Sequence, residues 1–350
     1  MTFKSKLLKS FPRLHAFVKK LRAFLKRKLQ PINWALILVS CYVYDIKREI
    51  KYSGWRRGKE LDLMKMSAEL IFYYHKLEKG MCLPPPKRFF GFDAYKRVMP
   101  LISEWGIRGY PKDFPAYVST IETLRSYRDA VLSFVESSSD AKKVISELNS
   151  FLDSTEKNNS FSTPINIPTT SIDYDTMKSL ALTRRSVRHY SNDPVEADML
   201  IKAVEIAMLS PSACNRQPCR VHFFTQRNRI KELLSFQNGN RGFTDNIPVL
   251  AIITADQKAF FDSTERIEPI FDGGLFTMSL LYGLTSLGLA SCCLNWCVTP
   301  KTDMACRNIL DISPTEKILT FLAIGYADQS AVVPLSGRRP TSDVFTVDKM

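Results

Sequence analysis

The sequence predicts an α+β protein: a mainly helical N-terminal region, then a C-terminal half in which helices and strands are mixed. Three observations lead there. Through about the first 150 positions apolar residues recur at three- and four-residue steps, the period of an amphipathic helix. A stretch rich in Ser, Thr, Asn and Pro at 137–171 then interrupts that pattern. Beyond it come four short apolar runs of strand length, at 219–225, 249–254, 290–295 and 317–325. The chain's 350 residues, 45% of them hydrophobic, suit about two domains with sizeable cores. The composition shifts divide it into a basic helical segment (1–60), a helical region with linker (61–165) and a C-terminal domain (166–350).

The first segment is set apart by charge. Residues 1–60 hold sixteen Lys and Arg against Asp45, Glu49 and Glu60, so nearly all of the net +14 lies there. A charge confined to one end points to a local contact with a polyanion. Leu14, Phe17, Val18, Leu21, Phe24, Leu25 and Leu29 follow helical spacing, with Lys19, Lys20, Arg22, Lys26, Arg27 and Lys28 between them. Pro31 is expected to end this helix. An eleven-residue apolar run, Trp34–Tyr44, follows; as helix it would span about 16 Å, roughly half a hydrocarbon core, which disfavours a transmembrane span. Three readings stand: an anionic membrane surface bound through residues 1–50, packing against the rest of the protein, or a nucleic-acid arm. Basic residues alternating with Phe and Leu ahead of a Trp/Tyr-flanked run suit the membrane surface best. No DNA- or RNA-binding motif accompanies the charge, so nucleic acid is disfavoured.

Between 60 and 150, apolar positions such as Leu63, Met66, Leu70 and Ile71, and later Ile121, Leu124, Val131 and Val135, predict helices separated by Pro84–Pro86 and by Pro111 and Pro115. In the last part, a helix is expected from Pro194–Glu196 to about Leu209, with Leu200, Ile201, Val204 and Ala207 or Met208 facing inward. A second helix, apolar almost all round, is opened by Asp272-Gly273-Gly274 and closed by Gly288. The eight cysteines form neither a disulfide framework nor paired C-x-x-C motifs, which argues against structural zinc. With no cleavable signal pattern, the expected compartment is the cytoplasm, on the inner face of the membrane if the basic segment docks there. His15, His75, His189 and His222 are scattered, without triad or metal spacing.

Chemistry concentrates in the C-terminal half. Arg184-Arg185-Ser186-Val187-Arg188 places three guanidiniums and a hydroxyl within five residues, a set suited to a phosphate and equally the composition of a solvated surface turn. Pro211-Ser212-Ala213-Cys214-Asn215-Arg216-Gln217-Pro218 is a proline-bounded loop whose small residues allow close backbone approach to a planar ligand; Asn215, Arg216 and Gln217 offer donors. Leu294-Asn295-Trp296 ends a strand-like run, and Ile324-Gly325-Tyr326 leads on to Arg338-Arg339-Pro340.

These four motifs, in this order over about residues 172–350, resemble the nitroreductase family of FMN-dependent oxidoreductases. The resemblance implies a three-layer α+β sandwich with a mixed, mostly antiparallel sheet, in an intertwined homodimer with FMN at the interface. It implies that Arg184, Arg185 and Ser186 hold the phosphate and ribityl chain, and that Arg188 faces the N1/O2 edge. Pro211, Ser212, Ala213, Cys214 and Asn215 would reach the flavin from the other subunit. Leu294 and Asn295 would lie against the isoalloxazine, and Arg338, with Arg339, would close on the phosphate. The tail 341–350 would extend across the partner. Cys219 stands where the family commonly has an aromatic residue, which alters the expected substrate pocket, and Ala327 where it commonly has Pro.

The implied activity is a ping-pong reduction: NAD(P)H delivers hydride to flavin N5, leaves, and is replaced by a small organic acceptor, with protons from solvent. No residue is singled out as a catalytic acid or base. The alternatives are a flavin-binding relative without turnover, acting as a membrane-associated scaffold, and a different flavin reaction on the same fold.

Overall fold

The computed structural model describes residues 12–54, 62–84, 88–155 and 164–348, with side chains from residue 30 onward. The apolar face expected over Leu14–Leu29, the turn at Lys157–Ser160 and two of the three prolines at 84–86 lie outside the described residues or side chains. Among the described residues there are ten α-helices and one sheet of four strands, an α+β fold.

Two compact units make up the chain, 1–51 with 297–311 and 52–296 with 312–350. Compactness thus groups the residues differently from composition. In the first unit, α1 (Pro12–Tyr52) runs through Pro31 without a break, against expectation. Proline's fixed φ is helical, and inside a helix it forfeits one N–H bond; the flanking residues carry the helix on. Beside it in the same unit is α10 (Pro300–Ile309), whose Asp303 accepts hydrogen bonds from the Tyr44 hydroxyl at 2.6 Å and from Arg307 Nε at 2.6 Å.

The second unit begins with four helices, α2 (Leu63–Cys82), α3 (Phe92–Ile107), α4 (Pro115–Val131) and α5 (Ser139–Leu152). Asp62 and Ser138 cap α2 and α5 by accepting from the backbone N–H of Lys65 and Ala141, and Pro115 supplies the preset first turn of α4. Their apolar faces close on an aromatic-rich core in which Trp105, Tyr127, Leu70, Leu77, Leu124 and Leu148 are fully buried. Tyr95 and Trp105 satisfy their polar ends on Glu147 and on the Pro111 carbonyl.

The sheet has the order β1-β2-β4-β3 and every neighbour is antiparallel. Its strands are β1 (Cys219–Phe224), β2 (Val249–Asp256), β3 (Ala290–Asn295) and β4 (Glu316–Gly325), within a residue or two of the expected runs. All eight residues of β2 are buried, the pattern of a central strand covered on both faces. Val249, Ala251 and Ile253, with Leu322 and Ile324 of β4, meet α7 (Ala197–Met208) and α9 (Glu268–Ser286). The alternate residues Leu250, Ile252, Phe321 and Ala323 are buried on the opposite face, where Trp296 stacks on Phe321 at 4.6 Å. Helices α7 and α9 pack so closely that a Cβ on Gly283 would stand 2.9 Å from the Ala203 carbonyl oxygen. Two short helices complete the unit, α6 (Tyr174–Thr183) and α8 (Arg227–Leu234).

Three details of the helices differ from expectation. Helix α5 forms inside the Ser- and Asn-rich stretch at 137–171, because Val144, Ile145, Leu148 and Leu152 give it a buried apolar face. The second long helix starts at Glu268, so Asp272-Gly273-Gly274 lies inside its first turns and does not open it; Pro269 takes the starting role. In α7 the inner face is Leu200, Ala203 and Ala207, while Ile201 and Met208 are more than half exposed. Small alanines face α9 because the close approach leaves no room for branched side chains.

Candidate functional site

The arginine-rich motif follows directly from α6. Asp173 caps that helix by accepting from the N–H of Thr176, and Arg184 closes it by donating its N–H to Leu180. The chain then turns extended and joins the sheet margin: Ser186 pairs in parallel with Ser291, and Val187 N–H donates to the Ser291 carbonyl at 3.1 Å. Val187 and Tyr190 are buried anchors, with the Tyr190 hydroxyl donating to the Val187 carbonyl at 2.8 Å. Between these anchors Arg188 points out and is exposed, and Arg184, Arg185 and Ser186 are half-buried. Burial pushes the thiols of Cys292 and Cys293 up; the Arg188 charge opposes this at Cys292 and the Arg184 charge at Cys293. Both guanidiniums therefore act on β3. Among the described residues, Arg184, Arg185 and Arg188 form no salt bridge with any carboxylate. Arginines set beside two buried anchors, with no carboxylate partner among the described residues, have the donor chemistry that suits an anion.

The loop at 211–218 is built differently. Cys214, Asn215 and Gln217 all adopt left-handed backbone, with φ of 52°, 58° and 52°, a conformation that side-chain-bearing residues hold only when the surroundings enforce it. Two clamps do so. Asp272 of α9 accepts the Ala213 N–H at 3.1 Å. Arg216 donates through Nε to the Ala213 carbonyl at 2.8 Å, through Nη1 to the Ala259 carbonyl at 2.9 Å, and through both Nη atoms to Glu265 at 2.8 and 2.6 Å. Its side chain is 0% exposed and its guanidinium lies 5.2 Å from the Phe260 ring centre and 5.9 Å from that of Phe72. Arg216 is thus a structural clamp, which corrects the expectation that it offers donors to a ligand. Cys214 packs against the aromatic core of α2–α5, so the helical region supports the loop from behind.

Beside this loop lies a pocket of about 390 Å³, walled by Val204, Ala207 and Met208 of α7, by 210–212 and 217–218, by β1 and by Asp272 and Phe276. Cys219 is part of its wall. Burial, with the nearby Asp272 charge, pushes its thiol up to about 12, so it remains a neutral thiol at physiological pH. Asp272 is 2% exposed and burial raises its carboxyl to about 6, against the opposing pull of the Ala213 hydrogen bond.

One further polar cluster spans three strands. Glu316 of β4, 1% exposed, accepts from Thr254 Oγ1 at 2.5 Å and pairs with His222 Nε2 at 2.7 Å, with Arg220 Nη1 at 3.7 Å. Burial works to raise this carboxyl, and the bonds from His222 and Thr254 outweigh it, leaving the pKa lowered. His222 and Glu316 lie 94 residues apart, so nothing in local spacing could have joined them.

The structure thus places Arg184, Arg185, Ser186 and Arg188 along the strand that ends in Leu294 and Asn295. Leu294 is 2% exposed and its carbonyl accepts from Thr320 Oγ1; Asn295 is exposed and its carbonyl accepts from Gln237 Nε2 at 2.8 Å. Leu294 backs the site and Asn295 faces outward. Pro211, Ser212, Ala213, Cys214 and Asn215 form the clamped loop against α9. Arg338 and Arg339 are exposed in an extended tail, where Arg338 donates to the Ser336 carbonyl at 2.6 Å. Asp272, Glu265 and Gln237, which shape the loop and the strand end, were not singled out as site residues from sequence. Only Asp272 stood inside a noticed motif.

Comparison with known proteins gives the same region a family. Residues 181–236 and 224–326 match the model of the nitroreductase family. A protein of Thermus thermophilus named NADH dehydrogenase is 33% identical over 97 residues, 27% of this chain and 47% of that protein, so the chain spans about half of that relative's length. An Archaeoglobus fulgidus protein provisionally named NADH dehydrogenase/NAD(P)H nitroreductase is 28% identical over 147 residues, 41% of this chain and 81% of that protein. Similar solved structures include a Parabacteroides distasonis protein of the same provisional name (20% identity, 51% of this chain, 100% of that chain, TM-score 0.44). Another is a provisionally assigned nitroreductase of Desulfovibrio desulfuricans in complex with FMN (18% identity, 49% of this chain, 96% of that chain, TM-score 0.43). The C-terminal half of this chain, over residues 181–326, is a nitroreductase-family domain.

Proposed function

We propose that the C-terminal domain is an FMN-dependent oxidoreductase that uses NAD(P)H to reduce a small organic acceptor, working as a homodimer with FMN at the interface. The single observation that carries this reading is the set of guanidiniums at Arg184, Arg185 and Arg188, beside β3 and with no carboxylate partner among the described residues. An FMN phosphate brings nearly two negative charges and several acceptor oxygens, which suits that donor set. When bound, FMN would supply the hydride-accepting and hydride-donating centre.

The chain's own residues have separate tasks. Arg184, Arg185 and Ser186 bind the phosphate end, and Arg338 with Arg339 adds cations from the exposed tail. Arg188 directs positive charge toward the ring edge where negative charge develops on reduction. Asn295 borders the ring, with Leu294 behind it. The clamped loop Pro211–Asn215 is shaped to present backbone and the Asn215 amide to a planar ligand, in the reading of the partner subunit's site. Exposed apolar residues on the outer sides of α7 and α9, among them Ile201, Met208, Ile270 and Phe271, suit burial in a dimer. The basic N-terminal segment decides where the enzyme works.

The test is the colour and redox behaviour of the purified full chain. It should carry FMN absorbance and bleach anaerobically with NADH or NADPH; Arg184→Ala combined with Arg338→Ala should lose the flavin. A colourless protein that cannot be reconstituted with FMN refutes the reading. Bound flavin that neither nucleotide bleaches assigns the domain to the flavin-binding relatives without turnover.

A further inference from the structure

One region has an exposure pattern that a water-bathed helix does not sustain. In α1, every residue from 30 to 40 is exposed. Ile32, Trp34, Leu36 and Val39 are 58%, 65%, 64% and 59% exposed, and Tyr42 and Val43 continue the series. At 100° per residue Ile32, Leu36, Val39 and Val43 share one face, while the exposed Trp34, Ile37, Leu38 and Tyr42 point to other sides, so one packed face would leave part of this apolar surface uncovered. The stretch 29–44 contains no charged residue and is about 24 Å long. Lys26, Arg27 and Lys28 precede it, and Lys47, Arg48 and Lys51 follow.

We propose that residues 29–44 of α1 dock into an anionic lipid bilayer, with the flanking basic clusters at the phosphate level. This deepens the reading of the N-terminal segment given above and rests on that reading. Charge decides between the candidate occupants. Sixteen basic against three acidic residues in 1–60 would set two copies of the helix against each other, whereas the same charge is complementary to anionic headgroups. Length decides the mode: among the described residues no helix is long and apolar enough to cross a membrane. The uncharged stretch therefore embeds below the headgroups, its basic ends held at the surface by lipid phosphates.

The experiment is flotation of the full-length, flavin-containing protein with vesicles of phosphatidylcholine alone or mixed with phosphatidylglycerol. The protein should float with the anionic vesicles at least about tenfold more than with the neutral ones. Leu36→Glu combined with Val39→Glu should lower that fraction by about tenfold or more, with flavin absorbance unchanged, because both side chains are exposed and support no core. Lys26→Gln, Arg27→Gln and Lys28→Gln together should weaken the preference for anionic vesicles. Protein that stays at the bottom with anionic vesicles overturns the proposal, as does a double-glutamate variant that floats like the parent. A lipid-independent oligomer that this variant disperses would instead give the surface to a second copy of the chain. The two readings fail separately: a colourless protein that floats defeats the flavin assignment, and a yellow protein that does not float defeats the membrane assignment.

Discussion

Two groups of arginines in the C-terminal half make an instructive contrast. Arg184, Arg185 and Arg188 stand on an extended segment with no carboxylate partner among the described residues, Arg188 donating only to the Ser186 carbonyl, whereas Arg216, in the loop at 211–218, is completely enclosed and bonded to Glu265 and two carbonyls. The side chains are chemically identical. What separates them is the counter-charge: Glu265 comes from 49 residues away to neutralise Arg216, and no described carboxylate reaches the others. A neutralised, buried guanidinium shapes the backbone; an open one remains available to an external anion.

The largest test of this contrast is Arg216→Ala, which leaves the Glu265 carboxylate, only 13% exposed, without its counter-ion and takes the guanidinium from the Ala259 carbonyl. It should cost about 3–5 kcal/mol in denaturant unfolding, and a loss under about 1 kcal/mol would refute the clamp. Glu265→Ala should cost nearly as much, and the double variant less than the sum.

The second clamp is sharpened by pH. Because the Asp272 carboxyl is raised to about 6 in the fold from an ordinary 3.8, the folded state holds its proton longer than the unfolded chain. Its contribution is thus most favourable at acid pH and declines as pH rises from about 4 to about 6, by up to about 3 kcal/mol. Asp272→Asn keeps an acceptor for the Ala213 N–H and should remove this decline, leaving the protein at least as stable as its parent at pH 7. Melting temperatures of both proteins across that range check it; parallel curves would show that Asp272 is not the group responsible.

A smaller effect is expected where α7 meets α9. Gly283→Ala would press a methyl onto the Ala203 backbone, and overpacking minus the gain in helix propensity should leave a loss of about 1 kcal/mol. The smallest change belongs to the open arginines: Arg184→Ala or Arg185→Ala should alter apo-protein stability by less than about 0.5 kcal/mol while weakening flavin retention. A large stability loss there would erase the contrast with Arg216.

Much of the fold was legible because its signals are local. The four strands were visible as apolar runs bounded by Pro, Gly or charged residues, and the helices of 62–131 as periodic apolar positions, whereas α5 (Ser139–Leu152) lies in the stretch whose Ser and Asn content reads as a linker. Elements that depend on context were not: Pro31 reads as a helix break, yet neighbouring turns carry α1 through it, and Ile201 reads as core, yet close helix packing selects Ala203 and Ala207 in its place. At the site, the motif at 184–188 could be read as an anion binder from composition. Its attachment to Ser291 could not, because that pairing joins positions over a hundred residues apart.

By itself the sequence determined the strand and most helix locations, the α+β class, the concentration of charge in 1–60 and the family resemblance of the C-terminal half, since each is encoded in periodicity, composition or short motifs. Only the tertiary structure decided which arginine is neutralised and which is open, how Asp272 and Arg216 hold a left-handed loop, and that the apolar stretch of α1 lacks cover. Those outcomes depend on which distant side chains arrive within hydrogen-bonding or van der Waals range, and local sequence carries no record of that distance.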